Sequence, residues 1–181
     1  MVTPPPARLV TLVGNPRPRS RTRAVAVLAA EALTGRLGSA AGREIVDLSA
    51  LAAGLGSAAA PAALQAAERT VQDADVLVVA SPTYKGTYTG LLKTFLDRLP
   101  GGALASAVAL PLMVLGDARH ALAVEVHLRP LLTELGAFVP TPGAVVPENR
   151  IEQAGELLDA WAAQVAPQVA GLLAARTALT S

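Results

Sequence analysis

The hydrophobic positions alternate between two rhythms along the chain. Arg8 to Val13 is a short apolar run that reads as a buried strand. From Thr22 to Arg36 the period lengthens. Val25, Leu28, Ala29, Ala32 and Leu33 then share one helical face, with Gly35 and Gly38 near its end. Arg43 to Leu48 reads as a second strand, and the Ala/Gly/Ser-rich stretch Ser49 to Pro61 as a mobile connection. Pro61 to Asp73 is a helix with proline near its first turn. Val76 to Ala80 is an unbroken apolar run, as a central parallel strand requires. A loop, Ser81 to Thr89, leads into a helix over Gly90 to Leu99 that Pro100-Gly101-Gly102 ends.

Val108 to Leu115 is a fourth strand, with Pro111 awkwardly inside it because proline offers no ladder donor. Ala121 to Leu135 is a helix that must kink or restart at Pro130. Ala144 to Val146 is a short fifth strand, and Ile151 to Arg176 is helical with a candidate break at Pro167. Strands alternating with helices predict an α/β fold, an open, doubly wound, five-stranded parallel sheet with helices on both faces. Right-handed crossovers bring the loops after strands one, three and four to one carboxyl edge, where such sheets bind ligands. Neither a repeat nor a domain boundary interrupts this pattern. A single domain over residues 1–181 is expected, with proline-rich residues 1–7 disordered.

Composition narrows the chemistry. With 52% hydrophobic residues, disorder over most of the length is excluded. Cysteine is absent and histidine occurs twice, so thiol catalysis and zinc-thiolate sites are ruled out and a histidine metal cluster is disfavoured. The net charge of +1 provides no global field for nucleic acid. With neither a signal-like segment nor a long apolar span, no membrane association and a cytoplasmic location are expected.

One loop departs from this near-neutral background. After the first strand comes Gly14-Asn15-Pro16-Arg17-Pro18-Arg19-Ser20-Arg21-Thr22, which opens a helix. Backbone N–H groups and the positive end of the helix dipole suit a phosphate monoester there. The loop lacks the Gly-Lys-Ser/Thr of a Walker A motif and the glycine spacing of a dinucleotide fingerprint. By its local chemistry alone, an irregular connection with Ser20 as a helix cap fits equally well. A second loop carries both of the chain's two tyrosines, Tyr84 and Tyr88. Aromatics at a sheet edge suit a planar ligand with polar rims, or they pack beneath the loop.

The two loops together resemble those of NADPH-dependent FMN reductases of the flavodoxin-like superfamily. The branch associated with alkanesulfonate monooxygenases is the most similar. The first loop matches G-S-P-R-x-x-S-R-[ST]; Ser81 to Asp97 match [ST]-P-x-Y-x-x-x-[YF]-[ST]-G-x-L-K-x-x-L-D nearly throughout. His120 and Leu128-Arg129-Pro130 answer to a later histidine and L-[RK]-P, so the likeness runs over about residues 8–147.

The resemblance implies a flavodoxin-like fold and hydride transfer from NADPH to FMN. It implies that Arg17, Ser20 and Thr22, with loop N–H groups, hold the FMN phosphate, that Asn15 can hydrogen-bond a phosphate oxygen, and that Arg21 is a further cofactor-binding residue. Pro82, Thr83, Tyr84, Lys85 and Gly86 would border the isoalloxazine, with Gly116 on the third loop. Arg19, Arg21 and Arg119 are candidates for the NADPH phosphates. A homodimer or dimer of dimers is implied, as is a flavin-dependent monooxygenase partner.

The chain departs from the family pattern in three places. Asn15 stands for serine. Leu115-Gly116-Asp117-Ala118-Arg119 replaces a glycine-rich turn and adds an acid that would repel an anionic reduced ring. Val126, followed by His127, holds a position where some members carry tyrosine or histidine. Two alternatives remain open: a flavoprotein reducing quinone, azo or nitro compounds, and a non-enzymatic flavodoxin-like electron carrier. The arginine-rich loop and the lack of an acidic surface weigh against the carrier.

Overall fold

Strands β1 (Ala7–Val13), β2 (Ala40–Asp47), β3 (Val76–Pro82), β4 (Val108–Leu115) and β5 (Ala144–Pro147) pair in parallel in the order β2-β1-β3-β4-β5. The computed structural model describes residues 7–38, 40–57 and 59–180. Of the segment expected to be disordered, residues 1–6 lie outside the described residues, whereas Ala7 already pairs in β1. Between the strands run α1 (Arg21–Leu37), α2 (Ala62–Gln72), α3 (Gly90–Leu96) and α4 (Arg129–Glu134), and α5 (Ala154–Thr180) closes the chain.

Period-two alternation sorts the strand side chains between two cores. Val10 and Leu12 of β1 pack with Leu64, Val71, Leu92 and Phe95 on the α2/α3 side. Leu9 and Val13 pack with Val25, Leu33, Trp161 and Val165 on the α1/α5 side. Each fully buried Leu or Val stabilises the fold by roughly 1.5–3 kcal/mol relative to exposure. Both faces of the sheet are covered, which explains why β3 and β4 read as unbroken apolar runs.

Several local expectations change in the folded chain. Helix α1 buries Thr22, Val25, Ala26, Ala29, Ala30 and Leu33, while Leu28 is 38% exposed. Alanines Ala26 and Ala30 displace Leu28 from the contact face because small side chains let the helix lie close to the sheet. The Ser49 to Pro61 connection, expected to be mobile, contains two 3-10 turns and is anchored by buried Leu48 and Leu55.

Pro111 sits inside β4 without losing a ladder bond. Ala109 N–H donates to the Phe138 carbonyl, and pairing with β5 starts only at Leu112. Residues 109, 111 and 113 face the same side of the ladder, so the proline nitrogen meets the gap between Phe138 and β5.

Pro130 restarts a helix as anticipated. A π-helical turn, Val124–Leu128, precedes it, with Arg129 N–H donating to the Val124 carbonyl, and Pro130 then occupies the first turn of α4. Pro167 does not break α5, which runs continuously past it. The ring is exposed, and the missing N–H weakens one turn only. Pro167→Ala is therefore expected to stabilise the protein by about 1 kcal/mol, part of the roughly 3 kcal/mol helix penalty of proline. A urea unfolding midpoint unchanged or lowered by the substitution would contradict this.

The Leu128-Arg129-Pro130 motif has a structural role. The Arg129 guanidinium donates to the carbonyls of Val139 and Thr141, and its Nε donates to Glu125. Glu125 in turn accepts the Gly143 N–H at 2.7 Å. The pair thus ties the π turn to the strand-entry segment before β5. Hydrogen bonding by Arg129 is the main cause that holds the Glu125 carboxyl below the usual range, with the Gly143 N–H assisting and burial opposing.

A depressed carboxylate pKa contributes stability above its unfolded value, and that contribution disappears as pH falls through the folded value. Glu125→Gln should cost about 1 kcal/mol at pH 7, less than the roughly 1.5–3 kcal/mol of a buried charged hydrogen bond because the pair is partly exposed. The difference from wild type should shrink in acid below the ordinary glutamate range. An unfolding difference that stays constant with pH would refute this account.

Candidate functional site

The order β2-β1-β3 makes β1 and β3 neighbours whose connections leave in opposite directions. Such a switch opens a crevice at the carboxyl ends of the two strands. The loops after β1, β3 and β4 meet at this edge.

The first loop is held from within. Asn15 is buried; its amide nitrogen donates to Thr22 Oγ1 at 2.9 Å, and its Oδ1 accepts the Arg17 N–H at 2.9 Å. These two side chains bond each other, so the amide that stands for serine closes the loop as an Asx turn. Ser20 caps α1, accepting the Arg23 N–H at 3.2 Å. Its carbonyl takes the Ala24 N–H. The first-turn N–H groups of Arg21 and Thr22 have no partner among the described residues.

Arg17 and Arg19 are exposed, and among the described residues no carboxylate pairs with either. Arg19 takes a positive φ of 51°. Arg21 and Arg23 differ: they lie 3.6 Å from Glu148 and 3.4 Å from Asp47. Two free backbone donors and two uncompensated guanidiniums therefore share one loop at the end of a helix dipole.

Pro82 ends β3 and is buried, and Thr83 N–H extends the ladder to the Val114 carbonyl at 2.9 Å. Beyond it, Tyr84 and Thr87 exchange backbone hydrogen bonds across a tight turn with Lys85 and Gly86 at φ 53° and 84°. Two successive positive φ values define a narrow hairpin turn, which glycine favours at its second place. Tyr84 is 40% exposed, and the buried Thr83 hydroxyl has no hydrogen-bond partner among the described residues. Tyr88 instead packs partly buried against the core.

On the third loop Gly116 has open space around it, and the His120 ring lies 3.7 Å from where a Cβ on Gly86 would sit. Asp117 does not present a bare charge. Its carboxylate accepts the Arg119 N–H and two guanidinium hydrogen bonds, which lower its pKa to about 2. The expected repulsion of an anionic ring is thus offset by the adjacent cation.

A group with a phosphate at one end and a planar polar ring at the other fits this edge. The phosphate would meet the free donors of the first loop. The ring would meet the narrow turn, where neither loop carries an acid.

The model of the NADPH-dependent FMN reductase family matches residues 7–150. The chain belongs to this family. It is 38% identical over 152 residues to the FMN reductase (NADPH) of Escherichia coli K12, covering 80% of this chain and 75% of that one. It is 33% identical over 132 residues to the NADH-dependent FMN reductase SfnF of Pseudomonas fluorescens Pf0-1, covering 71% and 70%. The crystal structure of an apo NADH:FMN oxidoreductase superposes with a TM-score of 0.70 at 32% identity, covering 87% of this chain and 89% of the other. This member of the FMN reductase family is accordingly an oxidoreductase with FMN and a reduced nicotinamide nucleotide as its cofactors.

Thr89 and Ser81 join the site without having been singled out by their chemistry. Thr89 caps α3 and also bonds the first loop. A threonine directly before Gly90-Leu91-Leu92 is a cap signal that local sequence contains. Its second bond, to a residue 75 positions away, is not. Among the described residues no helix is long and apolar enough to cross a membrane.

Proposed function

We propose that residues 7–180 act as one unit that reduces FMN with NADPH as the preferred donor. The FMN phosphate would sit on the first loop and its ring against Thr83–Gly86. The observation that carries this reading is the pairing state of the first loop: among the described residues, Arg17 and Arg19 lack carboxylate partners, and the N–H groups of Arg21 and Thr22 are open. When bound, FMN supplies the hydride-accepting centre, and the organic chemistry belongs to it. The protein's residues orient and compensate. The first loop neutralises the phosphate, the Tyr84–Thr87 turn fixes the edge facing the ring, and the Asp117–Arg119 pair leaves the third loop without net charge. No proton relay is required of the side chains.

Steady-state oxidation of NADPH and NADH with FMN, riboflavin and a quinone as acceptors tests the reading. FMN should give the highest specificity constant and NADPH should exceed NADH. A quinone preferred over both flavins would move the chain to the acceptor-reducing flavoproteins, and absence of any nicotinamide oxidation would leave an electron carrier. We infer that reduced flavin passes to a flavin-dependent monooxygenase. The resemblance to reductases associated with such enzymes supports this, and loss of flavin colour on dialysis would agree with a carrier that releases its cargo.

We also propose a homodimer or dimer of dimers. Leu122 and Val126 are 70% and 57% exposed, and with exposed Pro130 they follow one another at four-residue spacing. Apolar side chains in such a row suit burial against a second copy. Sedimentation that finds only monomer at micromolar concentration would overturn this.

A further inference from the structure

We propose that Thr89 is a positioning residue that sets the placement of the phosphate loop relative to the ring loop. The inference rests on the flavin reading above. Thr89 is 2% exposed and stands where three elements meet. Its hydroxyl donates to the Gly14 carbonyl at 2.6 Å and accepts the Leu92 N–H at 3.1 Å. Its own N–H donates to Ser81 Oγ at 3.1 Å, and Ser81 donates to the Pro82 carbonyl at 2.9 Å. Gly14 is the first residue of the phosphate loop; Ser81 precedes the ring loop and Thr89 ends it. One buried residue therefore joins the root of one loop to both roots of the other, its hydroxyl reaching Gly14 and its backbone N–H reaching Ser81.

The bond to Gly14 is not needed to cap α3, because the contact to Leu92 N–H does that. Its distinctive effect is to lock two loops that are far apart in the chain. FMN touches both loops at once, so its affinity depends on their mutual placement. Riboflavin has no phosphate and reads only the ring loop. A ligand held at two points loses its advantage when the spacing between the points is no longer fixed.

The test compares FMN and riboflavin binding to the full-length wild type, Thr89→Val, Thr89→Ser and Thr94→Val. Thr94 donates to the Gly90 carbonyl on the exposed side of the same helix and serves as a control. Thr89→Val should weaken FMN by about tenfold or more and riboflavin by less than about threefold, collapsing the preference for FMN. Thr89→Ser, which keeps the hydroxyl, should restore the preference, and Thr94→Val should leave it unchanged. Equal losses for both flavins, a serine variant as impaired as the valine one, or unaltered FMN binding would each overturn the role of Thr89.

If Thr89→Val does not fold, Thr89→Ala carries the same comparison, because it removes the same hydroxyl donor to Gly14 without adding a methyl group; equal losses there overturn the proposal equally. A wild type that binds neither flavin would instead refute the flavin reading itself.

Discussion

Gly14→Ala is expected to destabilise the ligand-free protein by the upper end of the roughly 1–3 kcal/mol typical of overpacking. A Cβ at this position would lie 2.6 Å from Leu92 Cβ and 3.1 Å from its Cγ and Cδ1. Leu92 cannot give way, since it is fully buried in the first turn of α3 and held by the Thr89 cap. Gly14 cannot retreat either: its N–H bonds the Ala80 carbonyl at 2.8 Å and its carbonyl accepts Thr89 Oγ1. Gly116 is the matched control on the third loop, where a Cβ meets nothing within 4 Å. Gly116→Ala should change stability by no more than about 0.5 kcal/mol. Urea unfolding of both variants checks the contrast, and similar losses would show that the glycine at the end of β1 is not required by close packing. The same clash displaces the root of the first loop, where the FMN phosphate is proposed to sit, so FMN binding by Gly14→Ala should fall with its stability.

Arg17→Ala should cost roughly 1.5–3 kcal/mol of FMN affinity, the range for hydrogen bonds to a charged group. Riboflavin binding should change far less. The side chain is exposed and without a carboxylate partner, so its removal leaves no buried group unsatisfied and stability should hold. Ser20→Ala should weaken FMN more mildly. It also removes the acceptor of the Arg23 N–H, at about 1 kcal/mol of stability. Dissociation constants for both flavins on wild type and the two variants separate these effects. Parallel losses for FMN and riboflavin would indicate a general defect of the loop. Undiminished FMN binding by Arg17→Ala would place the phosphate elsewhere.

Much of the architecture is local and was therefore legible in the chain. Strand and helix periods, the restart at Pro130, the loop opening α1 and the aromatic loop after β3 depend on residues within a few positions of one another. The family likeness rests on those same two loops. Pairing across the sheet was decided elsewhere. The order of strands, and with it the crevice between β1 and β3, is a choice among distant partners that no short window encodes.

Close packing settled the rest. Leu28 gave up the contact face of α1 to Ala26 and Ala30 because helix approach depends on what lies opposite. Pro111 is tolerated because its nitrogen faces the stretch between the Ala109–Phe138 bond and the start of the β4–β5 ladder at Leu112. Asp117 reads as an unwelcome acid in sequence, and the fold of its own turn brings the Arg119 guanidinium onto it. The hydroxyl of Thr89 is a helix cap by local rules. Only the tertiary structure brings Gly14 to it, because α3 packs its first turn against the glycine at the end of β1.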